Sequence, residues 1–278
     1  MIRKNRAIPA PDLKLLIFDL DGTLVDSRLD LANSVNAMLR HFKKAELPNE
    51  VISSYIGNGA PMLVRRSLGD PDDESYVQEA LLYFMSYYRE HKLDTTYVYD
   101  GIFHSLDAII AGRNGQSGSA DTQSVGESAT RAGSQEITSP RDSGEIASRR
   151  GSRDIKMAVL SNKPVGPSRG IVEALGLGKY FFQVYGGNSF HTKKPDPAGV
   201  AALLSEAGAR PEETVIIGDS DVDIITARNA GIYSIGVTYG LAPHTLEDAP
   251  PDVLVDHPRE LGDVLGEREQ SRLAFKTE

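Results

Sequence analysis

The chain has 278 residues and a formal net charge of −9 at pH 7, an acidic balance that argues against nucleic acid or an anionic membrane as the main partner, since both ask for a basic face. It contains no cysteine, which excludes disulfides, thiolate metal sites and thiol catalysis together. With 40% hydrophobic and 25% charged residues, it has the balance of a soluble globular protein, long enough for one large domain or for a core with a smaller insert.

Residues 1–11 carry basic side chains with no apolar segment behind them, and no run approaches the ~20 residues of a membrane span, so a cytoplasmic location is expected. Residues 13–18 form a short apolar run of the kind buried on both faces of a parallel sheet. That run leads into Asp19 and Asp21 of "LLIFDLDGTLVDS", residues 15–27. Acids at i and i+2 on an extended chain point the same way, here at the carboxyl end of a strand, where α/β proteins bind ligands. A lone Asp after a strand is ordinarily a helix cap. A cap explains neither the second acid nor the Gly-Thr that follows.

Strand signals vanish over residues 28–97. Leu31, Val35, Met38, Leu39 and Phe42 recur at helical spacing, as do Val77, Ala80, Leu81, Phe84 and Tyr88, and Pro48 and Pro61 suit the first turns of two shorter helices. The pattern predicts a small all-helical cap over 28–97, dividing a core into 1–27 and 98–265. Within the second part, residues 113–153 are Gly, Ser, Thr, Arg and acids with almost nothing apolar. Such a composition does not offset its ordering entropy and reads as a disordered insert. The charged tail 266–278 reads as frayed.

Apolar runs return at 156–160, 182–185, 214–217, 232–237 and 253–255, mostly separated by helical segments. Strand alternating with helix predicts an α/β fold with a doubly wound parallel sheet. The run at 214–217 ends in a second acidic group, "IIGDSDVDI", residues 216–224. Asp221 suits the start of a helix, leaving Asp219 and Asp223 as the better site candidates. Two strands that bring carboxylates to one sheet edge repel each other unless a cation lies between them. The six histidines, His104 and His191 among them, show no ligand spacing, so an all-oxygen donor set favours a hard ion, Mg2+ before Zn2+. "AVLSNKP" at 158–164 offers Ser161 and Asn162, fitted to phosphate oxygens near a helix N-terminus or to plain capping. "HTKKPDP" at 191–197 offers Lys193 and Lys194, the second fixed before Pro195.

Taken in order, Asp19–Asp21, Ser161, Lys194 and Asp219–Asp223 resemble the four motifs of the haloacid dehalogenase superfamily of aspartyl-phosphate hydrolases. The likeness covers nearly all of the chain outside 113–153, and the DxDGT pattern is its specific part. It implies a Rossmann-like core with a cap, and Asp19 as a nucleophile that is ionised at neutral pH without a base. Asp21 is implied as the acid for the leaving group and then the base for water. Lys194 becomes the catalytic cation, binding the phosphoryl group together with Thr23, Ser161 and the Asn162 N–H. Asp19, the Asp21 carbonyl and Asp219 are implied as Mg2+ ligands, with Asp223 supporting them.

"YIGNGAPMLVRRSLG" at 55–69 further resembles the cap segment of phosphoglycolate phosphatases. The likeness implies a substrate-facing turn of Gly57, Asn58 and Gly59, and an Arg65 placed to meet a carboxylate bidentately. "YDGI" at 99–102 and "KKPDP" at 193–197 match the same subgroup. Two departures stand out: Ser161 where Thr is commoner, and Asn188 where an acid is usual. The expectation is a Mg2+-dependent phosphomonoesterase whose partner is a small-molecule phosphate ester, 2-phosphoglycolate foremost. A phosphatase or mutase of small sugar phosphates is the sister reading, and a catalytically silent metal- or phosphate-binding regulatory module is the alternative of a different class. A hydrolytic dehalogenase is disfavoured because that chemistry has no use for a leaving-group acid at Asp21.

Overall fold

The structure, a computed structural model, describes residues 2–114 and 155–266. It runs through β1 (Arg3–Lys4), β2 (Leu15–Phe18) and β3 (Val25–Asp26), then α1 (Arg28–His41), α2 (Asn49–Ser53), α3 (Ala60–Ser67) and α4 (Glu74–His91). After β4 (Tyr97–Val98) and α5 (Ile102–Asn114) come β5 (Lys156–Leu160), α6 (Val165–Ala174), β6 (Gln183–Tyr185), α7 (Ala198–Ala207), β7 (Thr214–Gly218) and α8 (Asp221–Ala230). The chain closes with β8 (Tyr233–Val237), β9 (Val253–Val255) and α9 (Glu260–Gly266). Of the expected insert, Arg113 and Asn114 are the end of α5, and 115–153 lie outside the described residues; so does the expected tail beyond Gly266.

Seven strands form one sheet in the order β1-β9-β8-β7-β2-β5-β6. All neighbours are parallel except β1, an antiparallel edge on β9. Burial on both faces accounts for the unbroken apolar runs. Along β2, Leu16 and Phe18 join a core with Ile102 and Leu106 of α5 and Leu261 of α9. Leu15 and Ile17 point the other way, to Val200 and Leu203 of α7 and Ala227 of α8. The sheet is therefore covered on both sides, as the alternation of strand and helix requires. From β2 the chain winds outward through β5 and β6, then crosses back to begin β7 on β2's other side. That reversal opens a crevice at the carboxyl ends of β2, β5 and β7.

Helices α1–α4 build a second core, with Leu31, Val35, Met38, Leu63, Phe84 and Tyr88 among its members. The chain leaves for this cap along β3 and returns along β4, and the two pair antiparallel, Val25 opposite Val98 and Asp26 opposite Tyr97. Tyr97, expected at the end of the helical stretch, is thus a strand residue. Asp30 in the first turn of α1 accepts hydrogen bonds from the N–H and hydroxyl groups of both Thr95 and Thr96, so the exit and the return are clasped side by side. Among the described residues no helix is long and apolar enough to cross a membrane.

Candidate active site

β2 ends at Phe18 and the chain turns at once. The Asp19 N–H still bonds the Ile217 carbonyl of β7, while the Leu20 carbonyl accepts from the N–H groups of Thr23, Leu24 and Val25. Gly22 sits inside this loop at φ 83°, and a Cβ there would overlap the Asp219 carboxylate. Only glycine fits, because the two acidic loops touch.

Asp19, Asp219 and Asp223 are all buried, and one carboxylate oxygen from each lies within 4.8 Å of the others. Asp219 Oδ2 accepts from the N–H groups of Leu241 at 2.6 Å and Ala242 at 3.0 Å. Asp223 closes a capping box on α8, its Oδ2 accepting from the Ser220 N–H at 3.3 Å and Oγ at 2.8 Å. Its Oδ1 lies 2.6 Å from Lys194 Nζ, which also stands 2.9 Å from Asp19 Oδ1. Burial pushes the Asp19 carboxyl up to about 6, with Lys194 pulling it down and Asp223 and Asp21 pushing it up. Burial, then Asp223 and Asp19, carry Asp219 to about 8. Burial alone would lower the Lys194 amine, but the two acids beside it hold it above its ordinary value. Three buried acids crowd around one ammonium and raise one another's affinity for protons, and the all-oxygen donor set fits a small hard cation such as Mg2+ in their place.

The Asp21 side chain has partners outside this cluster. Both of its oxygens accept from Lys163 Nζ, at 2.9 and 2.8 Å, and Oδ1 also accepts from Ser27 Oγ at 2.5 Å. Ser161, directly after β5, is buried, and its Oγ accepts from the Lys163 N–H at 3.3 Å. Asn162 Nδ2 donates to the carbonyls of Lys194 at 3.0 Å and Gly57 at 3.2 Å, and Lys193 Nζ donates to the Asn58 carbonyl at 2.7 Å. The turn of Gly57, Asn58 and Gly59 is therefore seated on the core. Asp19, Asp21, Ser161, Asn162, Gly57 and Asp219 line one cavity, whose cap wall is apolar, with Leu31, Ile56, Leu63 and Phe84. The cavity volume is ≈ 50 Å³.

Lys194 and Asp223 stand behind Asp19 rather than on the cavity wall. Thr23 is fully buried, and its hydroxyl has no hydrogen-bond partner among the described residues. Asn58 meets the core through its carbonyl and does not line the cavity. Arg65 is not brought to the cavity either. In the last turn of α3 its guanidinium donates to the Pro71 carbonyl at 2.9 Å and pairs with Glu74, the first residue of α4, a fixed local acid that draws the charge away from the crevice. Asn188, the other departure, caps α6 by accepting from the Val165 N–H at 2.8 Å.

Two residues of the cavity carry no signal in the sequence. Lys163, in the loop after β5, is buried and its ammonium sits 4.7 Å from the centre of the Tyr88 ring. Tyr88 falls at the helical spacing of a core residue, and nothing in one sequence separates such a residue from one that also faces a ligand. Burial pushes its phenol up to about 12, with Lys163 pulling the other way.

The chain belongs to the haloacid dehalogenase-like hydrolases, whose family pattern matches residues 16–115 and 134–237 and passes over 116–133. Phosphoglycolate phosphatase of Rhodospirillum rubrum is 29% identical over 260 residues, covering 91% of each chain. Phosphoglycolate phosphatase of Pseudomonas putida is 32% identical over 258 residues, covering 89% of this chain and 78% of its own. The crystal structure of a predicted phosphoglycolate phosphatase from Haemophilus somnus 129pt superposes with a TM-score of 0.72 at 26% identity, covering 91% of this chain and 98% of that one.

Proposed function

We propose that this phosphoric monoester hydrolase is a Mg2+-dependent enzyme acting through an aspartyl-phosphate on Asp19, with 2-phosphoglycolate as its best substrate. The observation that carries the reading is a buried Asp19 with Lys194 2.9 Å away, sharing one small cavity with a second acid, Asp21. Asp19 attacks phosphorus and the ester bond to the leaving oxygen breaks. Asp21 gives its proton to that oxygen, then takes one from the water that cleaves the acyl phosphate. Ser161 and the Asn162 N–H, on the cavity wall, bind the phosphoryl oxygens, while Lys194 behind Asp19 offsets their charge and the buried Thr23 side chain supports the loop that carries the nucleophile. Asp19, the Asp21 carbonyl and Asp219 would hold Mg2+, with Asp223 behind them; bound there, the ion supplies positive charge to the phosphoryl group.

The names of the relatives and the small cavity support a two-carbon ester over a hexose phosphate or a nucleotide. The test is orthophosphate release from 2-phosphoglycolate, a hexose phosphate and p-nitrophenyl phosphate, compared by kcat/KM. Activity should need Mg2+ and stop in excess chelator, and Asp19→Asn should lower kcat by about 10³-fold or more. A tenth of wild-type kcat surviving in Asp19→Asn would sink the mechanism, and a preference for the hexose phosphate would favour the sugar-phosphate reading.

A further inference from the structure

A carboxylate leaving group needs a cation, and with Arg65 held by Glu74, Lys163 is the one cationic side chain lining the cavity among the described residues. Lys193, nearby, is committed to the Asn58 carbonyl. Tyr88 lines the same cavity, is 2% exposed, and its hydroxyl has no hydrogen-bond partner among the described residues. A buried hydroxyl in that state is costly unless a ligand completes it.

We propose that the Lys163 ammonium and the Tyr88 hydroxyl form a subsite for the carboxylate of the leaving group, so that phosphate esters of 2-hydroxy acids are selected there. The inference rests on the phosphomonoesterase reading above. Its geometry follows from Asp21. The oxygen that Asp21 protonates is two covalent bonds from the carboxyl carbon of phosphoglycolate, and Lys163 Nζ is hydrogen-bonded to Asp21 itself, at 2.8 and 2.9 Å. Lys163 Nζ donates to both Asp21 oxygens and lies 4.7 Å from the centre of the Tyr88 ring, so ammonium and phenol stand side by side in the cavity wall. The phenol provides a second donor beside it. Leu31, Ile56, Leu63 and Phe84, which line the same cavity, offer side chains without a donor or acceptor, so the hydroxyls of a polyol would be left unpaired and such leaving groups rejected.

The experiment compares kcat/KM for 2-phosphoglycolate and for ethyl phosphate, which has the same carbon count and no carboxylate. It uses wild type, Lys163→Gln, Tyr88→Phe and Arg65→Ala, each checked for folding by thermal melting. Wild type should prefer phosphoglycolate. Lys163→Gln should cut that preference by roughly 10- to 100-fold and Tyr88→Phe by roughly three- to tenfold, while Arg65→Ala leaves it in place. Equal losses on both substrates in Lys163→Gln would reduce Lys163 to a partner of Asp21 and overturn the subsite. Should that variant fail to fold, Tyr88→Phe decides, since it deletes only an unpartnered hydroxyl; an unchanged preference there overturns the proposal. Wild type that hydrolyses both esters equally well also overturns it and leaves the phosphatase reading standing. Wild type inactive on both would remove that reading, and the subsite with it.

Discussion

Asp219 accepts two main-chain hydrogen bonds, which favour its ionised form, yet burial and the charges of Asp223 and Asp19 outweigh them and carry it to about 8. In the unfolded chain the same group titrates near 3.8. Between those values the folded state holds a proton that the unfolded state has released, so stability falls as pH rises through the window. Asp19, at about 6, adds in the same sense over a narrower range. Glu213 runs the opposite way: Lys14 and Arg210 hold it down at about 2 from 4.5, so its contribution is complete above pH 4.5 and lost only as pH falls toward 2. Metal-free protein should therefore melt at a lower temperature at pH 8 than at pH 5.5. Mg2+ should raise Tm more at pH 8, where fewer protons have to leave. Thermal scans in chelator and in Mg2+ at both pH values measure this, and Asp219→Asn should flatten the metal-free difference. A metal-free Tm that climbed from pH 5.5 to 8 would contradict the electrostatics of the cluster.

One turn decides how the cap meets the core. Gly59 precedes α3 at φ 84°, ψ 165°, a region essentially restricted to glycine and costing other residues about 1–3 kcal/mol. A Cβ would also lie 3.0 Å from the Asn162 carbonyl oxygen and 3.2 Å from Lys193 Nζ. Gly59→Ala should unseat the turn and lower kcat/KM for phosphoglycolate about tenfold or more, while leaving the sheet's core untouched; unchanged kinetics would mean that seating the turn has no part in turnover. This level of structure was only partly legible. A strand such as β2 announces itself because burial on both faces makes every residue apolar. β1, β3 and β4 are two residues each, too short for any periodicity, and their pairing depends on distant chain. Asp19, Asp21, Asp219 and Asp223 could be picked out because two acids after each of two buried strands are more than one helix cap per strand accounts for. Helical spacing puts Arg65 on a face of α3 without saying that Glu74 waits at the start of α4. Lys163 differs from a solvated lysine only through Asp21 and Tyr88, 142 and 75 positions away in the sequence.

At the scale of the whole molecule, the 115–154 connection re-enters the sheet at the edge away from the chemistry. In the sheet register Lys156 stands opposite Leu15, and Leu15 opposite Thr214; these are the first residues of their strands. Asp19, Ser161 and Asp219 follow the last residues of the same strands, so a strand length of roughly 13 Å separates the amino edge from the catalytic edge. The family pattern passes over 116–133, so the common fold has no use for that stretch. Replacing residues 116–133 with a short Gly/Ser linker should therefore keep both cores and the acidic cluster in place. It should not lower stability either, because the entropic cost of closing a connection grows with its length, by about 0.6 kcal/mol per doubling. The shortened chain should melt no lower than the full one and keep kcat/KM for phosphoglycolate within about tenfold, or ~1.4 kcal/mol of barrier. A larger loss of kcat/KM at unchanged Tm would mean that residues 116–133 take part in turnover.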